Sequence, residues 1–127
     1  MRNLLIVGLG GFTGSILRYL LGGVVHQWLR NPWFPYGTLA VNLLGCFFIG
    51  LLGGWSDNLD LLTPATRLFL LIGLLGGFTT FSTFGYETLT LLRDREVTAA
   101  LLNIALQLLV GLTAVWLGYM LSTLRGG

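Results

Sequence analysis

Apolar residues fill four long stretches of this chain, and short polar clusters separate them. The stretches run from Leu4 to Val25, from Gly37 to Trp55, from Arg67 to Leu92 and from Val97 to Leu121. A helix needs about 20 apolar residues to cross a hydrocarbon layer. The pattern therefore predicts an all-α integral membrane protein, with four transmembrane helices per subunit in a single domain over residues 1–127. Turn and interface residues occupy the gaps: Arg30 to Pro35, Ser56 to Pro64, and Arg93 to Glu96. Trp28, Trp33 and Trp55 fall near the predicted ends, where an aromatic belt anchors helices. The four stretches do not repeat one another, so no internal inverted repeat is expected. The segment after Met1-Arg2 is long, glycine-rich and without a clear small-residue cleavage pattern. It reads as a retained first helix and not as a signal peptide.

The third stretch departs from the others. Its run of about 26 residues would reach roughly 39 Å as one continuous helix, beyond a hydrocarbon core of about 30 Å. At its middle, Gly76-Gly77-Phe78-Thr79-Thr80-Phe81-Ser82-Thr83-Phe84 sets two glycines and four hydroxyls between apolar runs. This predicts a third helix broken mid-membrane. Backbone groups freed inside a bilayer cost several kcal/mol each unless they meet protein, a pore or an ion. The break therefore marks the working part of the chain.

Composition agrees with a membrane class and narrows the chemistry. Hydrophobic residues make up 54% of the chain and charged residues 9%, too few for an aqueous surface. The formal charge of +2 comes from seven scattered arginines, which form no nucleic-acid footprint. One cysteine, Cys46, and one histidine, His26, cannot build a zinc site, and Cys46 among Gly45, Phe47 and Phe48 reads as a small buried hydrophobe. No set of nucleophile, base and orienting group is present, so the chain is not read as an enzyme.

Arginine bias normally sets membrane orientation. Here one side collects Arg2, Arg67 and Arg125 and the other Arg30, Arg93 and Arg95, with Arg18 deeper in the first helix. That balance predicts insertion in both directions and assembly as an antiparallel, dual-topology homodimer with its two-fold axis in the membrane plane. The alternative is one orientation fixed by a partner or by weak local signals. Gly10 and Gly14 in the first helix, and Gly111 and Gly118 in the fourth, supply packing surfaces.

Several polar residues inside the spans need partners. Asn42 is a lone amide among leucines and valines; it either ties two helices together or lines a wet pathway. Asn103 and Gln107, four apart, continue through Gly111, Ala114 and Gly118 as one face of the fourth helix. They form either an interhelical seam or, with Asn42 and the hydroxyls of the third helix, a shared polar track. Arg18 either snorkels to the interface or presents a fixed positive charge to anions at a vestibule. Glu87 is the only acid inside a span and falls toward one end. Phe81 and Phe84, three apart, share a helix face and are embedded among Thr80, Ser82 and Thr83. Phenyl rims carry partial positive charge, so rings presented edge-on can coordinate an anion without trapping it.

At these residues the chain resembles the Fluc (CrcB) family of fluoride channels along nearly its whole length. Three segments carry the likeness: G-F-T-G-S-I-L-R-Y from Gly11 to Tyr19, with Ser15 where alanine is more usual; G-T-L-A-V-N-L-L-G from Gly37 to Gly45; and G-G-F-T-T-F-S-T-F from Gly76 to Phe84. The resemblance implies antiparallel homodimers with two passive, fluoride-selective pathways that export fluoride across the plasma membrane of a prokaryote, the inner membrane in a Gram-negative cell. It maps the pore phenylalanines onto Phe81 and Phe84, the adjoining hydroxyls onto Ser82 and Thr83, the vestibule asparagine onto Asn42 and the first-helix arginine onto Arg18. It further implies a structural sodium ion held by backbone carbonyls of the third helix, expected from Gly76 and Thr79. The chain departs from the family on the fourth helix, where Asn103, Gln107 and Gly111 stand in place of the more frequent Ser, Thr, Tyr or His.

The alternative class is a small multidrug exporter of the cation-trading type, also with four short spans. It needs a membrane-embedded acid, and the first helix has none.

Overall fold

The computed structural model describes residues 1–30, 34–58 and 60–124. Trp33 and Arg125, named above as an anchor and an orientation charge, lie outside the described residues. Helix α1 covers Arg2–Leu29 and α2 covers Tyr36–Asn58. The third span, Pro64–Arg93, comprises α3 (Pro64–Arg67), a π-helical stretch (Leu68–Leu74), α4 (Leu75–Phe78) and α5 (Phe81–Arg93). The fourth, Val97–Leu124, comprises α6 (Val97–Ala105), a second π-helical stretch (Leu106–Val110) and α7 (Gly111–Leu124). No strand occurs among the described residues.

All four spans extend past the stretches that hydropathy marks, because a helix continues into the interface until something ends it. Arg30, at φ 45° and ψ 32°, closes α1 in the left-handed region and donates its N–H to the His26 carbonyl at 3.1 Å. The third span begins three residues before Arg67. Thr63 caps it, its hydroxyl accepting from the Thr66 N–H at 3.1 Å, and Pro64 takes the first turn, where its missing N–H costs nothing.

The helices keep most of their large apolar side chains on the outside. Phe12, Leu101, Leu109 and Leu112 are all exposed, and the described core is confined to a few residues such as Leu39, Val41, Leu75, Phe78 and Ala100. Such a surface needs lipid and not water against it. With four helices long and apolar enough to span, the chain is a multi-pass membrane protein.

Two backbone seams hold the spans together. In the first, α1 lies against α4 and the π-helical stretch before it. A Cβ on Gly14 would overlap the Leu74 carbonyl, and one on Gly77 would sit 2.7 Å from the Gly11 carbonyl oxygen. In the second, α2 runs along α7, with Gly50 against the Val115 carbonyl and Gly118 against that of Phe47. Hydrophobic burial offers little drive between helices in lipid, so such close backbone approach is what makes the contacts worth having.

Between α4 and α5 the chain leaves helical geometry at Thr79 (φ −88°, ψ 156°) and Thr80 (φ −150°, ψ 119°). Gly76 and Gly77 themselves remain in α4. The extended residues are thus the two β-branched ones, which tolerate β geometry well. The helix restarts at Phe81 with Thr80 as its cap, the hydroxyl of Thr80 accepting from the Thr83 N–H at 3.2 Å.

Candidate functional site

The site assembles around that extended dipeptide. Asn42, from the second turn of α2, faces Thr80 and pairs with both of its backbone groups. The Thr80 N–H donates to Asn42 Oδ1 at 2.9 Å, and Asn42 Nδ2 donates to the Thr80 carbonyl at 3.0 Å. The second hydrogen on Nδ2 reaches Gln107 Oε1 at 3.1 Å. Both N–H groups of Asn42 are therefore engaged, one to the dipeptide and one to the fourth span. On the other side, Arg18 Nε donates to the Gly77 carbonyl at 3.1 Å, so α1 supplies a partner for an oxygen at the end of α4. Thr79 keeps its N–H and its hydroxyl on the Leu75 carbonyl, each at 3.0 Å.

Two cavities adjoin the dipeptide, and Thr80 lines both. The larger, about 710 Å³, is walled by Ser15, Arg18, His26, Thr38, Thr83, Glu87 and Asp94, among others. The smaller, about 330 Å³, is walled by Asn42, Cys46, Gly76, Thr79, Phe81, Phe84 and Gln107, among others. The sequence-predicted residues thus fall into groups. Arg18 and Thr83 face the larger space, and Asn42, Phe81, Phe84, Gln107, Gly76 and Thr79 the smaller. Ser82 is exposed, its hydroxyl 3.4 Å from that of Thr80.

Phe81 and Phe84 have ring centroids 5.6 Å apart with planes tilted by 58°. Spacing by three brings them together, but their surroundings differ. Phe84 is 9% exposed and Phe81 80%. Within one chain, then, one ring is held in the protein and the other projects from it.

Asn103 and Gln107 do not act as one strip. Gln107 reaches Asn42 and lines the smaller cavity; its Nε2 is buried and has no acceptor among the described residues. Asn103 is fully buried, lines neither cavity, and donates instead to the Thr88 hydroxyl at 3.0 Å. The second π-helical stretch begins between them. Its wider turn rotates the side chains that follow away from the ideal four-residue repeat.

Sequence reasoning passed over Thr38 and Thr88, and set Glu87 aside as an acid toward the end of a span. Thr38 donates its hydroxyl hydrogen to Glu87 Oε1 at 2.7 Å, while Glu87 Oε2 is buried without a partner among the described residues. The available signal was helical spacing: Thr83, Glu87, Thr90 and Asp94 recur every three or four residues, and all line the larger cavity. Glu87 sits near the end of the whole third span, yet in the middle of α5, because the helix restarts at Phe81.

Chemically, the smaller cavity combines a buried amide donor, hydroxyls and phenyl rims with no acid among the residues named. Such neutral donors stabilise a small anion without the tight hold of a full cation. Its other wall holds the backbone of Gly76 and Thr79. Gly76 is exposed, with nothing within 4 Å of where a Cβ would stand, and Thr79 has left helical dihedral angles while its N–H still reaches Leu75. Backbone carbonyls of this kind are hard oxygen donors and fit a small hard cation. No group of three or more His, Cys, Asp or Glu side chains able to hold a metal exists among the described residues.

With that geometry in view, the comparisons with known proteins are direct. Residues 5–119 match the family described as CrcB-like protein, Camphor Resistance (CrcB). The chain belongs to the CrcB family. A family member from Methanosarcina barkeri, named fluoride-specific ion channel FluC 3, is 45% identical over 120 residues, covering 93% of this chain and 88% of its own. One from Citrifermentans bemidjiense, named fluoride-specific ion channel FluC, is 43% identical over 122 residues, covering 96% of this chain and 98% of its own. A third, from Flavobacterium psychrophilum and of the same name, is 38% identical over 122 residues with the same coverage of both chains. These CrcB relatives are named as channels and not as enzymes.

Proposed function

We propose that this chain is a passive, fluoride-selective ion channel that carries fluoride out of the cytoplasm of a prokaryote across its plasma membrane. The observation that supports it best is the Asn42–Thr80 pairing beside Phe81 and Phe84, in a chain whose relatives carry the name of fluoride-specific channels. A helix opened at mid-membrane depth, with its backbone partnered by an amide, is a costly arrangement that pure packing does not require.

In this reading fluoride gathers in the larger cavity under the charge of Arg18. It then passes the hydroxyls of Thr80, Ser82 and Thr83 and moves along the rims of Phe81 and Phe84. Gln107 offers the free amide hydrogen that Asn42 does not have, since both of Asn42's are engaged. Asn42 acts by holding the backbone and aiming Gln107, and Asn103 stands behind the path. Fluoride is the strongest hydrogen-bond acceptor among the halides, so short neutral donors favour it over chloride.

The functional unit is an antiparallel homodimer with two pathways. The outward-facing Phe81 and the bare Gly76 support a second copy here, because one chain leaves a ring and a strip of backbone uncovered. In the dimer, the carbonyls of Gly76 and Thr79 from both copies would hold a structural sodium ion on the two-fold axis. Held there, a cation would give a partner to carbonyl oxygens that would otherwise face one another unsatisfied in a dry interface.

Liposomes loaded with fluoride and carrying the purified protein test the reading with a fluoride electrode. Fluoride release on addition of a potassium ionophore, with chloride retained, is the expected result. Release of chloride at a comparable rate, or no fluoride release, would end it.

A further inference from the structure

Asn103 is the residue whose burial is hardest to explain by packing. It is 0% exposed, and its Oδ1 finds no donor among the described residues. A half-satisfied buried amide is less stable than a leucine of similar size. What Asn103 does have is one directed bond, from Nδ2 to the Thr88 hydroxyl at 3.0 Å. Thr88 is buried as well, and its hydroxyl in turn donates to the Phe84 carbonyl at 2.8 Å. The three groups form one hydrogen-bonded chain from α6 across to the start of α5. Each link polarises the next.

A threonine that bonds back to the carbonyl four residues earlier bends its helix, and its hydroxyl rotor normally has a choice of partners. Asn103 removes that choice. With an N–H fixed against its oxygen, the hydroxyl is left to donate to Phe84. The hydrogen bond that Thr88 makes back to the Phe84 carbonyl is thereby directed by a residue of the neighbouring span. Phe84 carries the ring held in the protein, while Phe81 projects one turn earlier, so the hydrogen-bonded chain ends on the backbone of the residue whose ring is tilted 58° against Phe81.

We infer that Asn103 and Thr88 are positioning residues that fix the Phe84 ring and through it the discrimination between fluoride and chloride. The inference rests on the fluoride-channel reading and adds two residues to it that touch no ion. It assigns Asn103 a role that its absence from both cavities leaves open.

The test is the fluoride-over-chloride permeability ratio of purified, dimer-sized protein, with thermal unfolding measured on the same samples. Thr88→Val keeps the shape and removes the hydroxyl; Thr88→Ser restores the hydroxyl on a smaller side chain. Thr88→Val and Asn103→Leu should each lower the ratio by about tenfold, roughly the effect of losing one buried hydrogen bond. The double substitution should lower it no further than either single one, because both cut the same chain. Thr88→Ser should retain the wild-type ratio. A merely structural role would lower the unfolding temperature and leave the ratio of the surviving protein unchanged, and that result overturns the inference. If Asn103→Leu fails to fold, the Thr88→Val and Thr88→Ser pair decides alone. Wild-type protein that does not conduct fluoride would overturn the channel reading itself; selective wild-type protein with unaffected variants overturns this inference only.

Discussion

The side-chain amide of Asn42 and the backbone of Thr80 form a closed pair, N–H to Oδ1 at 2.9 Å and Nδ2 to C=O at 3.0 Å. An amide side chain has the same donor and acceptor as a peptide unit, so Asn42 takes the place of the helical neighbours that Thr80 lacks. Water cannot perform this task in a bilayer, and a hydroxyl offers the wrong spacing for both groups at once. The pairing ties α2 to the dipeptide between α4 and α5, and through Gln107 to the fourth span.

Asn42→Leu conserves size and deletes all three bonds. The expected outcome is a loss of about 2–4 kcal/mol in unfolding free energy, since two backbone groups are left unpartnered away from water. Fluoride release from liposomes should fall to the protein-free leak. Stable, conducting Asn42→Leu protein would show that the dipeptide needs no partner.

Gln107→Glu separates the two jobs of this amide. Glutamate keeps an oxygen for Asn42 Nδ2 but replaces the free Nε2 donor with a negatively charged oxygen. Fluoride flux should collapse while the dimer persists, with a lowered unfolding temperature because the new oxygen is buried without a donor. Unchanged flux would place the anion path away from Gln107.

Phe81→Ile and Phe84→Ile should both slow fluoride release without changing dimer size on gel filtration. Their stabilities should differ. Phe84 is buried within one chain and Phe81 is not, so truncation to alanine at position 84 should cost the fold of the single chain about 3–5 kcal/mol, and at position 81 distinctly less, the loss there falling on the proposed contact between copies. Dissociation into monomers with no effect on flux per dimer would make the rings packing residues.

How much of this was legible beforehand depended on the range of the cause. The spans were readable because hydropathy over about 20 residues is a local property. The disturbance in the third span was readable too, to within the run 76–84 but not to the pair that leaves helical geometry. The glycines drew attention to 76 and 77, yet Gly77 is small because Gly11 approaches it, and the extended residues are Thr79 and Thr80. What partners the backbone of Thr80 comes from Asn42, far away in sequence, and no local pattern encodes it. Glu87 was underrated because distance to a helix end was measured along an unbroken span. Asn103 and Gln107 were paired by a four-residue rule that the π-helical turn between them does not obey.

Two adjacent glycines give a further contrast. A Cβ on Gly77 meets the Gly11 carbonyl at 2.7 Å, whereas one on Gly76 meets nothing within 4 Å. Gly77→Ala should therefore destabilise the single chain by about 1–3 kcal/mol through overpacking. Gly76→Val should leave helix content and chain folding intact and shift the protein from dimer to monomer on gel filtration. A dimeric, sodium-insensitive Gly76→Val channel would remove Gly76 from the proposed interface and ion site.

The identity of the conducted ion is decided most directly by current across a planar bilayer with fluoride on one side and chloride at equal concentration on the other. The account predicts a reversal potential displaced far from zero, in the direction set by fluoride leaving its own side, with the current carried almost wholly by fluoride. Reversal near zero, with chloride permeating as readily as fluoride, would contradict it.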